Sequence, residues 1–316
     1  MLPFSREESA ADLEKQADYI DDLWFLMHHS EDDDTVVLGL RTYLDDSGSD
    51  DGSPLVVCGG PLMSRIQFKA FSGRWSKMYE RERGFSGIVL EPPLHMTDFV
   101  YPGKYCGLYP ELKRAFFHKV VRLINDHKFY SVSVAVSQED FQSELDEETR
   151  RALIGPYGFA FFCLVTCNQI TSRMRKSGPA VTSYLVDRGF GYQGQLDRAH
   201  DLIVRFEIAM GEFRHTGALA TDTDDRVPAL QAADAIAWAS RKMELHGKLP
   251  EGFEPLSEIL REDLASAPHA TIRIPKDGVQ MFADPVNRWI SKYGEVPRLT
   301  DIVSRQMNGV AVKLRS

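Results

Sequence analysis

The residues best suited to chemistry are carboxylates placed where apolar runs stop. The segment YLDDSGSDDG, Tyr43 to Gly52, carries Asp45, Asp46, Asp50 and Asp51 directly after an apolar run. Asp45 closes that predicted strand, and Asp187 closes another, AVTSYLVD. Asp234 sits in PALQAADAIAWASRKMEL, which Pro228 opens as a helix. Leu230, Ala233, Ala237 and Trp238 share its helix face at three- and four-residue spacings, so its carboxylate is expected to be partly buried. Burying an unpaired carboxylate is costly or drives its protonation, so Asp234 needs a cation, a metal or donated hydrogen bonds. Arg188 and Arg214 are the arginines that could pair with it. Strand C-termini in open α/β sheets are where sites assemble, and three carboxylates from two strand ends and a helix make a cup of hard oxygen ligands. Mg²⁺ or Mn²⁺ takes such ligands, and two ions close together activate water and stabilise the leaving oxygen of a phosphodiester.

Other groups stand near these three in sequence. His95 and Asp98 lie in LHMTDF, a loop that follows Glu91. His95 suits proton transfer or phosphate contact, or a hydrogen bond that shapes its loop. Glu91 is a candidate fourth carboxylate. Among Asp222, Asp224 and Asp225, just before the Asp234 helix, one is expected to cap it. Arg173, Arg175, Lys176, Arg188, Arg214 and His215 are the basic groups nearest in sequence for substrate contact. Period-two alternation sends Asp46 to the opposite face of the strand from Asp45, unless the turn has already begun. Asp50 and Asp51 read as the solvated tip of that turn. A calcium loop is excluded, because a frame starting at Asp46 puts Gly48 third and Val57 twelfth, where ligands are required.

The elements that must position these groups follow from periodicity. Val36–Leu44 and LVVCGGPL form a β-hairpin around the acidic turn; a helix spans Ile66 to about Arg83, and Pro110 opens another carrying Leu112, Phe116, Val120 and Leu123 on one face. KFYSVSVAVS alternates bulky and small residues as a strand does. GFAFFCLVTCNQITSRMRK is too long for a strand and suits a buried helix with a cationic last turn. Gln193 to about Met210 follows as a helix, and GALAT as a short strand. A hairpin followed by alternating helices and strands predicts an α/β fold, a mixed sheet with helices on its faces. Leu13, Ala17, Ile20 and Leu23 recur at helical spacing before the acidic HHSEDDD. Residues 1–35 are therefore read as an N-terminal helical extension, 36–250 as the main domain and 251–316 as a small C-terminal elaboration.

The 316 residues are 43% apolar, enough for a real core, and the net charge of −9 argues against a broad basic surface for nonspecific nucleic-acid binding. A local basic groove remains compatible with that total. Cys58, Cys106, Cys163 and Cys167 lack the paired spacing of a zinc or redox motif and read as reduced thiols. No window has the run of apolar residues that a membrane span needs, and the N-terminus lacks the core of a signal peptide, so a cytoplasmic protein without a membrane partner is expected.

YLDDSGSDDG, LHMTDF, YLVDRG and LQAADAIAW together resemble the motifs of the bacterial domain of unknown function 3800 family. The resemblance covers about residues 38 to 245, and the helix motif is its most specific part. It implies a ribonuclease H-like fold, a mixed five-stranded sheet with carboxylates on the first strand, the fourth strand and a late helix. Asp45, Asp187 and Asp234 match those places, with Asp46 standing where the family commonly has Glu. The implied activity is metal-dependent nuclease action on RNA or DNA, with Mg²⁺ or Mn²⁺ held by Asp45, Asp187 and Asp234, and His95 assisting. The alternatives are a non-catalytic nucleic-acid-binding or protein-interaction component of a bacterial defence or mobile-element system, with a protein partner or homo-oligomer, and a hydrolase of a small phosphorylated substrate.

Overall fold

The computed structural model describes residues 38–48, 52–82, 90–153, 155–174, 180–188, 193–210, 216–262 and 268–293. The predicted N-terminal helix, its acidic run and the tip aspartates Asp50 and Asp51 lie outside these residues. Among the described residues six strands are present: β1 (Leu38–Ser47), β2 (Leu55–Ser64), β3 (Tyr130–Ser137), β4 (Ala180–Asp187), β5 (Thr216–Asp222) and β6 (His269–Ile274). Among the described residues the α-helices are α1 (Arg65–Glu82), α2 (Pro110–His127), α3 (Gln138–Glu144), α4 (Glu147–Leu153), α5 (Pro156–Met174), α6 (Gln193–Met210), α7 (Pro228–His246) and α8 (Lys276–Tyr293). The strands form one mixed sheet in the order β5-β4-β1-β2-β3-β6. Neighbours β1, β2 and β3 are antiparallel, while β4 runs parallel to β1, β5 to β4 and β6 to β3.

Helices cover both faces, which is why the central strands are apolar on both sides. On one face Leu40, Leu44, Val56, Val132 and Val134 pack against Phe159–Val165 of α5 and Leu196 of α6. The other face sets Tyr43, Met63 and Leu185 against α7, with Phe68, Phe71 and Trp75 of α1 and Phe116 and Phe117 of α2. α5 is apolar around most of its circumference and accordingly buried, as its composition predicts. Residues beyond 250 extend the same sheet and core: β6 pairs with β3, Val279 and Ala283 of α8 join the α5 side, and Phe253, Leu256 and Ile259 join the α7 side. All four cysteines are free, Cys58 and Cys163 within the core. No helix among the described residues is long and apolar enough to cross a membrane.

Close approach of α7 to the sheet depends on β2. The β1–β2 pairing joins Leu40–Thr42 to Leu62–Ser64 and Asp45–Ser47 to Val57–Gly59, with a break opposite Gly60 and Pro61. A Cβ at Gly60 would lie 1.8 Å from the Tyr43 carbonyl oxygen and 3.0 Å from Ala233 Cβ. Gly60 and the alanine-rich side of α7 together let helix and strand meet. Gly60→Ala is expected to cost roughly 3 kcal/mol, because the backbone must shift to admit the methyl group. A urea midpoint equal to wild type would refute this.

The small-residue face of β3 carries a buried polar chain. Lys128 Nζ donates to Ser131 Oγ (3.0 Å) and to the Ile259 carbonyl (2.9 Å). Ser131 Oγ meets His269 Nδ1 at 2.8 Å, and Ser133 Oγ meets Nε2 at 3.0 Å. Burial lowers Lys128 to about 7, and burial together with the Lys128 charge lowers His269 to about 3. Both groups are thus disfavoured as cations in the folded state. For Lys128 the folded pKa lies below the unfolded one, so its stabilising contribution is complete only above the ordinary lysine pKa and is lost as pH falls to about 7. The stability of wild type relative to Lys128→Met should therefore grow as pH rises above 7. Denaturant midpoints of both proteins at several alkaline pH values test this, and a constant difference would contradict it.

Candidate functional site

β1, β4 and α7 carry the three predicted aspartates to one region. Along β1 the side chains alternate, so Leu44 enters the α5-side core while Tyr43 enters the α7 side, and Asp45 follows Tyr43. Along β4 Leu185 faces α7, and Asp187 is two residues further on the same face. The parallel β1–β4 register pairs Tyr43 with Leu185 and Leu44 with Val186, so Asp45 and Asp187 come one step later at the same level. Strands so paired lie about 4.8 Å apart. Asp222 ends β5 directly opposite Asp187, which lines up aspartates across the C-terminal ends of three parallel strands.

The electrostatics of Asp45 record this crowding. Its pKa is raised well above the ordinary carboxylate value, first by burial and then by the charges of Asp234, Asp46 and Asp187. The Asp46 amide, which donates to Asp45 Oδ1 at 2.8 Å, opposes the rise. Asp234 is raised to about 7, mainly by burial, with smaller upward contributions from Asp224 and Asp46. Its Oδ2 accepts a hydrogen bond from the Met96 amide at 2.7 Å, and that bond and His95 pull the pKa down. The expected arginine pairing of Asp234 is not found among the described residues. Arg188 is exposed beyond β4, where its amide donates to the Asp222 carbonyl, and Arg214 lies outside the described residues.

Asp46 continues the alternation, since β1 runs on to Ser47 before Gly48 turns the chain. Asp46 pairs in register with Cys58, a residue of the α5-side core, which puts Asp46 on that side of the sheet. Gly48 adopts φ +85, and a Cβ there would meet the Leu55 carbonyl oxygen at 2.3 Å and Arg241 Nε at 2.5 Å. Arg241, two turns beyond Asp234 on α7, also donates to Ser53 Oγ at 2.8 Å and so ties the chain just before β2 to the helix.

His95 is brought to the same region, but by a route that its own neighbourhood does not predict. Gln231, buried one turn before Asp234, accepts at Oε1 from Leu94 N (2.8 Å), Trp75 Nε1 (2.9 Å) and Tyr79 Oη (3.3 Å). Its Nε2 donates to the Asp224 carbonyl at 2.8 Å. Gln231 and Asp234 therefore hold the amides on either side of His95, while Gln231 also ties the 224 loop to the helix. His95 Nδ1 lies 3.3 Å from Asp224 Oδ2, and the ring is 44% exposed, so Nε2 is the nitrogen available to a ligand.

Asp224 is thus the carboxylate that joins the three predicted ones. Burial raises its pKa first, His95 lowers it, and Asp187 and Asp225 raise it. The expectation that one of Asp222, Asp224 and Asp225 caps α7 is incorrect. The N-cap is Val227, without a side-chain cap, and the turn is closed by the Thr223 carbonyl accepting from Arg226 and Val227 amides. Asp222 Oδ1 instead accepts from the Thr223 amide at 2.8 Å. Glu91 is exposed at the start of its loop, and Asp98 pairs with Lys104 at 3.4 Å. Of the predicted basic contacts, Arg175, Lys176, Arg214 and His215 lie outside the described residues, as does the Arg173 side chain.

No family model, curated protein or solved structure matches this chain. The site must be judged on its own chemistry. Its acidic groups influence one another's ionisation, yet among the described residues no three His, Cys, Asp or Glu side chains form a ready-made metal cage.

Proposed function

We propose that this chain is a metal-dependent nuclease of ribonuclease H-like fold, hydrolysing phosphodiester bonds in RNA or DNA. The observation that carries the reading is the raised pKa of Asp45, Asp224 and Asp234, where burial comes first and neighbouring carboxylate charges add to it, Asp187 acting on Asp45 and Asp224, so that an added cation would be favoured. The sheet order supports the fold: within the six-stranded sheet the run β3-β2-β1-β4-β5 carries Asp45 on the first strand and Asp187 on the fourth, β6 being added beside β3, and α7 is a late helix bearing Asp234.

Carboxylate oxygens are the donor type that a hard divalent ion takes. Asp45, Asp187 and Asp234 would hold Mg²⁺ or Mn²⁺, with Asp224 beside them; when bound, the ion lowers the pKa of water and offsets charge developing on phosphate oxygens. The protein's own groups do the remaining work. The Met96 amide orients the Asp234 carboxylate, and Asp224 orients the His95 ring through Nδ1. Nε2 of His95 is then placed to give or take a proton at a phosphate or leaving oxygen.

The test incubates wild type and Asp234→Asn with labelled single- and double-stranded RNA and DNA, in Mn²⁺ or in chelator. Cleavage by wild type alone, abolished by chelator, is expected. Equal cleavage by both proteins overturns the nuclease reading. Absence of cleavage under every condition does so too, and leaves a non-catalytic component of a defence or mobile-element system.

A further inference from the structure

We infer that the loop running from Glu91 to Tyr109 is a base-stacking platform that takes an unpaired nucleic-acid strand through Tyr101 and Tyr109. This inference rests on the nuclease reading, because the platform belongs to the loop that supplies His95 and the Asp234-binding amide.

The loop is built, not merely exposed. Gln231 holds Leu94 and Asp234 holds Met96 at one end. Lys113 of α2 is buried and reaches back to donate to the Phe99 carbonyl (2.9 Å) and the Cys106 carbonyl (3.0 Å). Within the loop the Tyr105 amide donates to the Asp98 carbonyl and the Gly103 amide to the Val100 carbonyl, at 2.7 and 2.6 Å. Gly103 packs so tightly that a Cβ would lie 2.3 Å from the Thr97 carbonyl oxygen. Phe99 fills the core beneath, 5.5 Å from Phe116 in a stacked arrangement, and the Tyr105 hydroxyl accepts from the Glu91 amide.

Against that framework two aromatic residues point outward. Tyr101 is 89% exposed and Tyr109 is 74% exposed. A large ring held in water by a multiply anchored backbone cannot retreat into the core, and it presents a face at little further entropic cost. Lys104, half-exposed beside Asp98, adds a cation between them in sequence. Tyr101 follows Met96 by five residues, so its Cα lies at most about 18 Å from the amide that binds Asp234. The ring is thus tied within a short span of the loop to the groups that would hold a strand's phosphate.

The chemistry selects the form of the ligand. Tyrosine faces accept any base, but only a base whose own faces are uncovered can lie on them. A duplex keeps its bases stacked inside and offers only edges and backbone. The acidic net charge gives backbone contacts little general help, so stacking carries a larger share of the affinity.

The test measures binding of labelled single-stranded and duplex oligonucleotides by fluorescence anisotropy, in chelator, so that cleavage cannot intervene. Wild type, the double variant Tyr101→Ala/Tyr109→Ala and the double variant Tyr101→Trp/Tyr109→Trp are compared. Both rings lie outside the core, so neither double variant should alter folding. The alanine variant is expected to lose about tenfold in single-strand affinity per tyrosine, the tryptophan variant to keep it, and duplex binding to change little. Single-strand binding by the alanine variant equal to wild type overturns the platform and assigns the surface to a protein contact. Failure of wild type to bind single strands overturns it as well. If binding depends on the tyrosines while no protein cleaves with Mn²⁺, the platform stands and the nuclease reading falls. If cleavage depends on Asp234 but binding ignores the tyrosines, the reverse holds.

Discussion

Asp234→Asn is expected to lower the metal-dependent cleavage rate by about a thousandfold or more while leaving the metal-free protein as stable as wild type. The two halves of this expectation have separate causes. Metal-ion catalysis supplies several kcal/mol of transition-state stabilisation, and losing roughly 4 kcal/mol slows a reaction about a thousandfold. The asparagine retains an oxygen that can accept from the Met96 amide, so the loop carrying His95 keeps its anchor. It also removes the charge that contributes most, after burial, to the elevation of Asp45. In chelator at pH 8 the variant should therefore melt at or above the wild-type temperature. Adding Mn²⁺ should stabilise wild type by RT ln(1 + [L]/Kd), roughly 3 kcal/mol at a hundredfold excess over Kd, and leave the variant unmoved. Melting curves with and without metal test both statements. A variant that unfolds in chelator would assign Asp234 a structural role, and one stabilised by Mn²⁺ as wild type is would remove it from the ion site.

Gln231→Leu is expected to destabilise the fold by about 3–5 kcal/mol, because three donors lose one shared acceptor and each buried unsatisfied group costs roughly 1–3 kcal/mol before relaxation. Trp75 Nε1, the Leu94 amide and the Tyr79 hydroxyl all converge on its Oε1. The Asp224 carbonyl loses its donor as well. Because Gln231 also tethers the segment before His95, the surviving folded fraction should place His95 and Asp224 less well. Gln231→Glu separates the two contributions, since a carboxylate still accepts from all three donors but cannot donate to the Asp224 carbonyl. It should lie between wild type and Gln231→Leu in urea midpoint. Equal midpoints for wild type and Gln231→Leu would show that the hub contributes nothing to stability.

The difference between these residues in the sequence is instructive. Asp45, Asp187 and Asp234 are legible because each ends or interrupts a periodic apolar pattern, and a carboxylate in such a position contradicts its surroundings. Gln231 carries a weaker signal. It shares the α7 face with Asp234, but a glutamine among alanines does not announce that it gathers donors from α1 and from the 90s loop. The pattern of Asp222, Asp224 and Asp225 before α7 favours a helix cap, which the backbone declines. With Val227 at the N-cap position, the preceding turn is closed by carbonyls, and Asp224 turns to His95. The identity of a fourth carboxylate depends on where that turn lies relative to a loop about 130 residues earlier, which no local spacing encodes.

The acidic segment after β1 divides in the same way. Period-two geometry is enough to separate Asp45 from Asp46, because a strand that continues to Ser47 must send them to opposite faces. The contacts of Gly48 and Ser53 with Arg241 need the helix to be in place first. By itself the sequence determined β1 to β5, α1, α2, α5, α6 and α7 and the strand ends at which Asp45 and Asp187 stand, since side-chain periodicity and proline and glycine placement act over a few residues. Only the tertiary structure decided that β6 completes the sheet, that Gly60 admits α7 to β1, and that Gln231 and Asp234 clasp the two sides of His95. Those outcomes rest on contacts between segments far apart in the chain, where the partner of a polar atom is chosen by packing rather than by its neighbours in sequence.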